Sequence, residues 1–361
     1  MLAALENGVK GGKWFSLIDK VYRKQTLKAA WHKVKDNAGA AGVDRQSVEQ
    51  FEARAEVYLE ELERALRTGE YRPQPIRRVE IPKGGGKMRP LGIPVVKDRI
   101  VQTAVKLVIE PIFEREFEES SYGFRPGCGC KDALREVDEL IEEGYTHVVD
   151  ADIDSYFDSI PYEPLLGEVS ERISDGAVLE LIRAFLNQDI IQGMRRWTPV
   201  GGTPQGAVIS PLLANIYLHP LDRHMKQTGY RMVRYADDFV VLCRTAEQAQ
   251  AALNEVRAWV EQNGLRLNVD KTHVGDCRQE GQGFEFLGYR FEAGRRWVRP
   301  KSLKALRERI RMRTKRTRGD SLAKIIEDLN PMLRGWFNYF KHAHSVAQLG
   351  IDGFVRRRLR A

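Results

Sequence analysis

Acidic residues recur in two apolar settings in this chain. Asp150, Asp152, Asp154 and Asp158 follow the β-branched run THVV, and Asp237-Asp238 interrupts the apolar segments MVRY and FVVLC. Carboxylates held a few ångströms apart repel, and apolar surroundings disfavour their ionised forms. A hard divalent cation such as Mg²⁺ removes that penalty because it prefers carboxylate oxygen. Two such ions about 3.5–4 Å apart serve phosphoryl transfer, one at the attacking hydroxyl and one at the leaving oxygen. Asp-Asp is also ordinary turn chemistry, since Asp tolerates turn geometry, and 150–158 reads equally as a solvated loop. Spacing alone does not name the reaction.

The elements around these clusters are strands and turns. THVVDADIDSYF predicts a buried strand followed by a turn, and MVRYADDFVVLC predicts two strands about a tight turn at Ala236-Asp237. Ser210-Pro211 reads as the N-cap and first turn of a helix carrying Asn215–Met225, and a further helix over 245–263 ends at Gly264. Upstream, amphipathic helices are predicted over 14–35 and 48–67, separated by the loop NAGAAGVD and closed by Gly69. IPKGGGKMRPLGIP (Ile81–Pro94) predicts a glycine-rich hairpin. Residues 97–117 read as helical with a break or first turn at Pro111, and helices are expected across 163–191. Strands are expected near 284–291 and 296–299, and the chain reads as all-helical from Lys301. The fold class is α+β, with a strand-rich centre and a helical C-terminal unit.

Composition narrows the function classes. With 361 residues, 42% hydrophobic and 30% charged, the chain can bury a core. No apolar run reaches the length of a membrane span, and the start MLAALENGVKGGKWF lacks the apolar stretch of a secretory signal. Four cysteines without a C-x-x-C pair argue against a zinc finger or a disulfide scaffold, and a reducing, cytoplasmic setting is expected. The net charge of +8 is unevenly spread: residues 295–361 hold 19 Lys or Arg against 5 Asp or Glu, the rest 39 against 45. A basic, aromatic-interleaved tail on a mildly acidic body predicts a polyanionic partner, with a solvated helical surface as the bland alternative.

The ordered motifs carry a resemblance. RPLGIPVVKDRIVQ (89–102), EPIFEREF (110–117), SYGFRPG (121–127), DADIDSYFDSI (150–160), GTPQGAVISPLLANIYL (202–218), YADD (235–238), GLRLNVDKT (264–272) and FEFLGY (284–289) resemble, in order, the blocks of bacterial group II intron reverse transcriptases. NAGAAGVD resembles their N-terminal extension, and PMLRGWFNYFKHA (331–343) their thumb or maturase region, so the match covers roughly residues 25–361. The resemblance implies a right-hand polymerase: an N-terminal extension and start of the fingers over 1–75, fingers and palm over 76–293, and a basic helical thumb over 294–361. By position, Asp152, Asp237 and Asp238 would bind two Mg²⁺ ions, with Mn²⁺ as a substitute. Phe157 would be the steric gate against a ribose 2′-OH. Lys83 and Arg89 would meet the incoming triphosphate, Gln205 would line the nucleotide pocket, and Lys271 would stand near the active site. Read without the resemblance, Phe157 is a core aromatic, Lys83 and Arg89 a solvated hairpin, Gln205 a loop amide and Lys271 an exposed turn residue. Arg125 would either bond palm and fingers backbone or touch template, and Gly288 would sit in a primer-grip strand or a bulge.

The chain departs from the pattern in three places. Arg45 stands where GVDG would place glycine, Asp154 stands where lysine often follows DI, and no His- and Cys-rich endonuclease follows RRRLRA, so strand nicking is not expected. The implied function is RNA-directed DNA synthesis from a primer 3′-OH with dNTPs, on an RNA template with a DNA or RNA primer. Intron RNA binding in aid of splicing and mobility would accompany it, in a bacterial cytoplasmic, nucleoid or ribonucleoprotein-associated setting, with the oligomeric state left open. A domesticated polymerase in phage defence, a CRISPR locus or DNA repair is one alternative; a non-catalytic RNA-binding splicing factor is another.

Overall fold

The computed structural model describes residues 12–84 and 87–360, apart from the side chains of 83, 84 and 87. Three small sheets organise the chain. Strands β1 (Ile76–Gly84) and β2 (Lys87–Ile93) form the glycine-rich hairpin. β4 (Ile190–Gln192) joins β1 in parallel, and β5 (Arg195–Trp197) completes the order β2-β1-β4-β5. The central sheet runs β6-β7-β3-β8, from β3 (His147–Asp152), β6 (Arg231–Tyr235), β7 (Asp238–Cys243) and β8 (His273–Asp276). The third sheet holds β9 (Phe284–Phe286), β10 (Tyr289–Glu292) and β11 (Arg295–Val298).

Strand alternation divides the central sheet into two faces. Val149, Ala151, Ile153, Phe239, Val241 and Cys243 point into the main core, against helices Tyr162–Ser170, Ser210–Gln227 and Ala246–Gln262. Val148, Val240 and Leu242 point the other way, into a second cluster with helix Cys130–Glu142, the third sheet and Phe340. Asp150, Asp152 and Asp238 share the parity of that second face. They therefore emerge where the apolar rows end, beside the third sheet.

The C-terminal unit is helical: Pro300–Arg313, Leu322–Phe340 and Val346–Arg360 close a small core around Leu306, Ile310, Leu329 and Ile351. Its root is the third sheet, because Phe340 and Ala343 pack in the cluster of Phe286, Tyr289 and Val298. Among the described residues no helix is long and apolar enough to cross a membrane.

Several local expectations need correction. Pro111 lies inside helix Val96–Glu114 rather than breaking it, three residues before its end. Ser210 does not cap its helix; its hydroxyl donates to the Pro204 carbonyl at 2.9 Å. Part of the stretch expected to be helical up to 191 is strand, since β4 starts at Ile190. The helix expected over 48–67 is interrupted, running Val48–Glu52 and Ala55–Thr68.

The loop NAGAAGVD is tied to the body by the buried Arg99. Its guanidinium donates to the Pro94 carbonyl at 2.9 Å and to the carbonyls of Ala38 and Ala40. Arg45, just beyond, is exposed and held at φ 59°, the left-handed region that penalises any side chain with a Cβ. The glycine expected at this position would relax that strain. Arg45→Gly should therefore stabilise the fold by about 0.5–1 kcal/mol, the strain relieved less the backbone freedom that glycine adds to the unfolded chain. Denaturant midpoints at equal slope check this; a lower midpoint contradicts it.

Candidate active site

Two antiparallel registers bring the acidic residues together. In the β3–β7 pairing Asp152 is the direct partner of Asp238, and in the β6–β7 pairing Asp238 faces Tyr235 across the two-residue turn Ala236-Asp237. Residues 152 and 238, far apart in sequence, thus stand side by side, with Asp237 at the adjoining tip. The aspartates crowd one another electrostatically. Asp238 is pushed up to about 7, first by burial, then by the charges of Asp150 and Asp237, against a backbone hydrogen bond from Leu287. Asp150 is pushed up to about 6, chiefly by burial, with His273 opposing. The Asp152 carboxylate accepts from Lys271 Nζ at 2.8 Å. Asp154 is exposed and bonds through its backbone to Arg266, away from this cluster.

Among the described residues, no three His, Cys, Asp or Glu side chains are already gathered as a metal-holding group. The donor chemistry nonetheless suits a hard divalent cation: carboxylates only, with excess negative charge and a single lysine bonded to Asp152.

The turn is positioned from behind by a buried charge network that the sequence reading missed. Arg234 is fully buried; its Nε donates to Asp222 Oδ1 at 2.7 Å and its Nη2 to Asp222 Oδ2, while Nη1 donates to Asn215 Oδ1 and to the Ala236 carbonyl, each at 2.9 Å. Asn215 in turn donates to the Gly123 carbonyl at 2.7 Å. The segment SYGFRPG lies directly on the hairpin: Tyr122 N–H donates to the Arg234 carbonyl at 2.8 Å, and Arg234 N–H to the Ser120 carbonyl at 2.9 Å. The sequence offered little signal for it, because Asp222 is followed at once by Arg223, His224 and Lys226, and Arg234 shares its strand with Arg231.

Arg125 is held by nearby groups. It donates to Glu114 at 2.8 Å and to the backbone carbonyls of Glu118 and Ser121 at 2.6 and 2.5 Å. Gly288 is neither a strand nor a bulge residue. Leu287 (φ 47°) and Gly288 (φ 85°) form the two-residue turn between β9 and β10, the φ pattern of a type I′ hairpin.

The remaining expected residues form a second group on the fingers side. Arg89 Nε donates to Gln205 Oε1 at 3.0 Å, and Gln205 Nε2 lies 3.4 Å from Asp158 Oδ2. The base of the hairpin is fixed to the same loop by Gly92 N–H donating to the Gln205 carbonyl at 2.6 Å. Phe157 is half-buried and packs edge-on to Phe124, with ring centroids 6.2 Å apart at 81°. Its carbonyl accepts from Thr203 N–H at 2.6 Å. Lys83 belongs to β1, but its side chain lies outside the described residues.

A sheet carrying paired aspartates at a hairpin tip, a strand hairpin fixed to the Gln205 loop and a C-terminal helical unit match the right-hand polymerase architecture expected from the sequence. The sequence matches the reverse transcriptase (RNA-dependent DNA polymerase) family over residues 81–291 and the group II intron maturase-specific domain over 303–361. The chain therefore belongs to the reverse transcriptase family, of the group II intron type, and its activity class is RNA-directed DNA polymerase. Protein YkfC of Escherichia coli K12 is 38% identical over 296 residues, covering 70% of this chain and 76% of that protein. The group II intron-encoded protein LtrA of Lactococcus lactis is 37% identical over 208 residues, covering 57% of this chain but 34% of LtrA. Among solved structures, a Cas6-RT-Cas1–Cas2 complex aligns at 25% identity over 72% of this chain and 27% of that chain, with a TM-score of 0.43, too low to carry an argument.

One contact makes the placement of the hairpin testable. A Cβ added at Gly123 would come within 2.1 Å of the Ala236 nitrogen and 2.7 Å of the Tyr235 carbonyl carbon, both backbone atoms. Gly123→Ala must shift the aspartate-bearing turn, and a displacement near 1 Å at a reacting centre costs on the order of 100-fold in rate. Primer extension by the folded variant should fall by about that factor; an unchanged rate contradicts the assignment of this turn to the reacting centre.

Proposed function

We propose that the chain extends a primer 3′-OH with dNTPs on an RNA template, using Asp152, Asp237 and Asp238 as ligands for divalent cations. The observation that carries this is the register placing Asp152 opposite Asp238, beside a turn that ends in Asp237. Mg²⁺, or Mn²⁺ in its place, would supply charge neutralisation at the phosphates and lower the barrier to deprotonating the attacking hydroxyl. The chain's own groups provide the positioning. Lys271, bonded to Asp152, holds that carboxylate beside the hairpin turn. Arg89 and Lys83, on the hairpin opposite, offer cations to the triphosphate of the incoming nucleotide. Gln205 spans Arg89 and Asp158 and so forms the floor between fingers and palm. Phe157, braced by Phe124, presents a ring edge that would exclude a ribose 2′-OH.

The domain roles follow the same reading: 1–75 an N-terminal extension and start of the fingers, 76–293 fingers and palm, 294–361 the thumb. The 19 cations of residues 295–361 support binding of intron RNA in aid of splicing, and with it intron mobility. The clustered aspartates favour the polymerase over a non-catalytic splicing factor, because a binder of RNA gains nothing from concentrated negative charge.

Two substitutions separate these assignments. Asp237→Asn should abolish complementary DNA synthesis while leaving RNA binding near wild type; equal product from both proteins removes the assigned site. Phe157→Ala should raise incorporation of ribonucleotides relative to deoxyribonucleotides in a competition assay, and unchanged sugar discrimination refutes the gate.

A further inference from the structure

A cavity lies at the seam between palm and thumb. It encloses about 280 Å³ and is lined by Lys131, Arg135 and Asp138 of helix Cys130–Glu142, Tyr289 and Arg296 of the third sheet, and His342 just past helix Leu322–Phe340. Three separate elements thus aim cationic or protonatable groups into one space. Asp138 is the acid of the lining, and it is already paired with Arg296, whose guanidinium also rests over the Tyr289 ring at 4.9 Å. Among the described residues, Lys131 and His342 make no ion pair. Arg135 has an exposed i,i+3 contact with Asp132 at 3.2 Å, of a kind worth little in water. His342 is exposed; slight desolvation first, and then the charges of Arg296, Lys341 and Lys131, hold it below the ordinary histidine range.

We infer that this seam is a phosphodiester-binding site, in which Lys131 and Arg135 of the palm helix and Arg296 and His342 of the thumb root grip a nucleic-acid backbone. The pre-oriented Arg296 supplies a planar, hydrogen-bonding cation suited to phosphate, and Lys131 and Arg135 add exposed charges whose counterions are released on binding. The seam also reports on the catalytic hairpin. Tyr339, another lining residue, donates from its hydroxyl to the Leu287 carbonyl at 2.7 Å, and Leu287 hydrogen-bonds through its backbone to Asp238. A strand held in the seam braces the thumb root against the turn that carries the aspartates. The inference rests on the reading that this chain handles nucleic acid, but it assigns a site whose lining contains none of the aspartates and draws on palm residues outside the basic tail.

The test uses the full chain with Lys131→Gln and Arg135→Gln combined, both at exposed positions. Lys24→Gln with Lys28→Gln, on an exposed N-terminal helix, serves as the charge-matched control. Affinity is measured by fluorescence anisotropy across a salt series for three probes: an unprimed single-stranded RNA, a primer–template duplex, and a blunt RNA hairpin. Loss of two phosphate contacts should weaken binding about tenfold and flatten the log–log salt slope by roughly 1.4 on a single strand and 1.8 on a duplex. Loss on the unprimed strand assigns the backbone to template, loss on the primer–template alone to substrate duplex, and loss on the hairpin to structured RNA. Affinity and slope equal to the control on all three probes overturn the proposal. Asp237→Asn is run in parallel: if it abolishes synthesis while the double variant binds normally, the seam assignment falls and the polymerase assignment stands.

Discussion

The ion pair between Arg234 and Asp222 is the interaction on which the site depends. Both groups are withdrawn from water, and the pair persists because each guanidinium nitrogen finds an acceptor. Removing one partner of such a pair costs about 3–5 kcal/mol, because the other charge is left buried and alone. The return for that risk is positional. Arg234 lies two residues before the turn and bonds to its Ala236 carbonyl, so helix Ser210–Gln227 dictates where the turn sits. Asn215 extends the constraint to Gly123, whose lack of a side chain lets SYGFRPG press against the same turn.

From that fixed turn the rest of the site can be built outward. The β3–β7 register delivers Asp152, and the Leu287 backbone reaches Asp238 from the third sheet. Tyr339 joins that hairpin to the thumb, and Tyr289 returns a hydrogen bond to the Tyr339 carbonyl. Helix Ser210–Gln227, the segment SYGFRPG and the third sheet therefore all reach the aspartate hairpin through hydrogen bonds, and the C-terminal helices reach the third sheet the same way. The concentration of carboxylates at the convergence is electrostatically unfavourable for the bare chain. Lys271 offsets part of it, and the remaining imbalance supports the cation-dependent reaction proposed for this point.

Much of this arrangement was legible in the sequence, and the reasons differ by feature. The strand-turn-strand at YADD followed from apolar runs flanking a turn-tolerant dipeptide, and Gly69 and Gly264 marked helix ends, both at positive φ. The ordered motifs placed Arg89 in the fingers hairpin, Gln205 at the nucleotide pocket and Phe157 five residues after Asp152, and the first two meet. What was not legible depended on distant partners. Strands β4 and β5 have three residues each, and β4 is recruited by β1 more than a hundred positions away. Ser210 reads as a cap until Pro204 is found beside its hydroxyl. Gly288 reads as a strand residue until the β9–β10 register shows it in the turn. Arg234 looks like an exposed strand residue until helix Ser210–Gln227 supplies Asp222.

The central claim is that Asp152, Asp237 and Asp238 share divalent cations beneath a nucleotide. Crystals of the chain with an RNA template, a chain-terminated primer, the next dNTP and Mn²⁺ test it most directly through anomalous diffraction. The account predicts anomalous peaks within coordinating reach of Asp152 and of the 237–238 turn, with Asp152 turned from Lys271 toward them. A well-ordered nucleotide with no peak there, and Asp152 still bonded to Lys271, would contradict it.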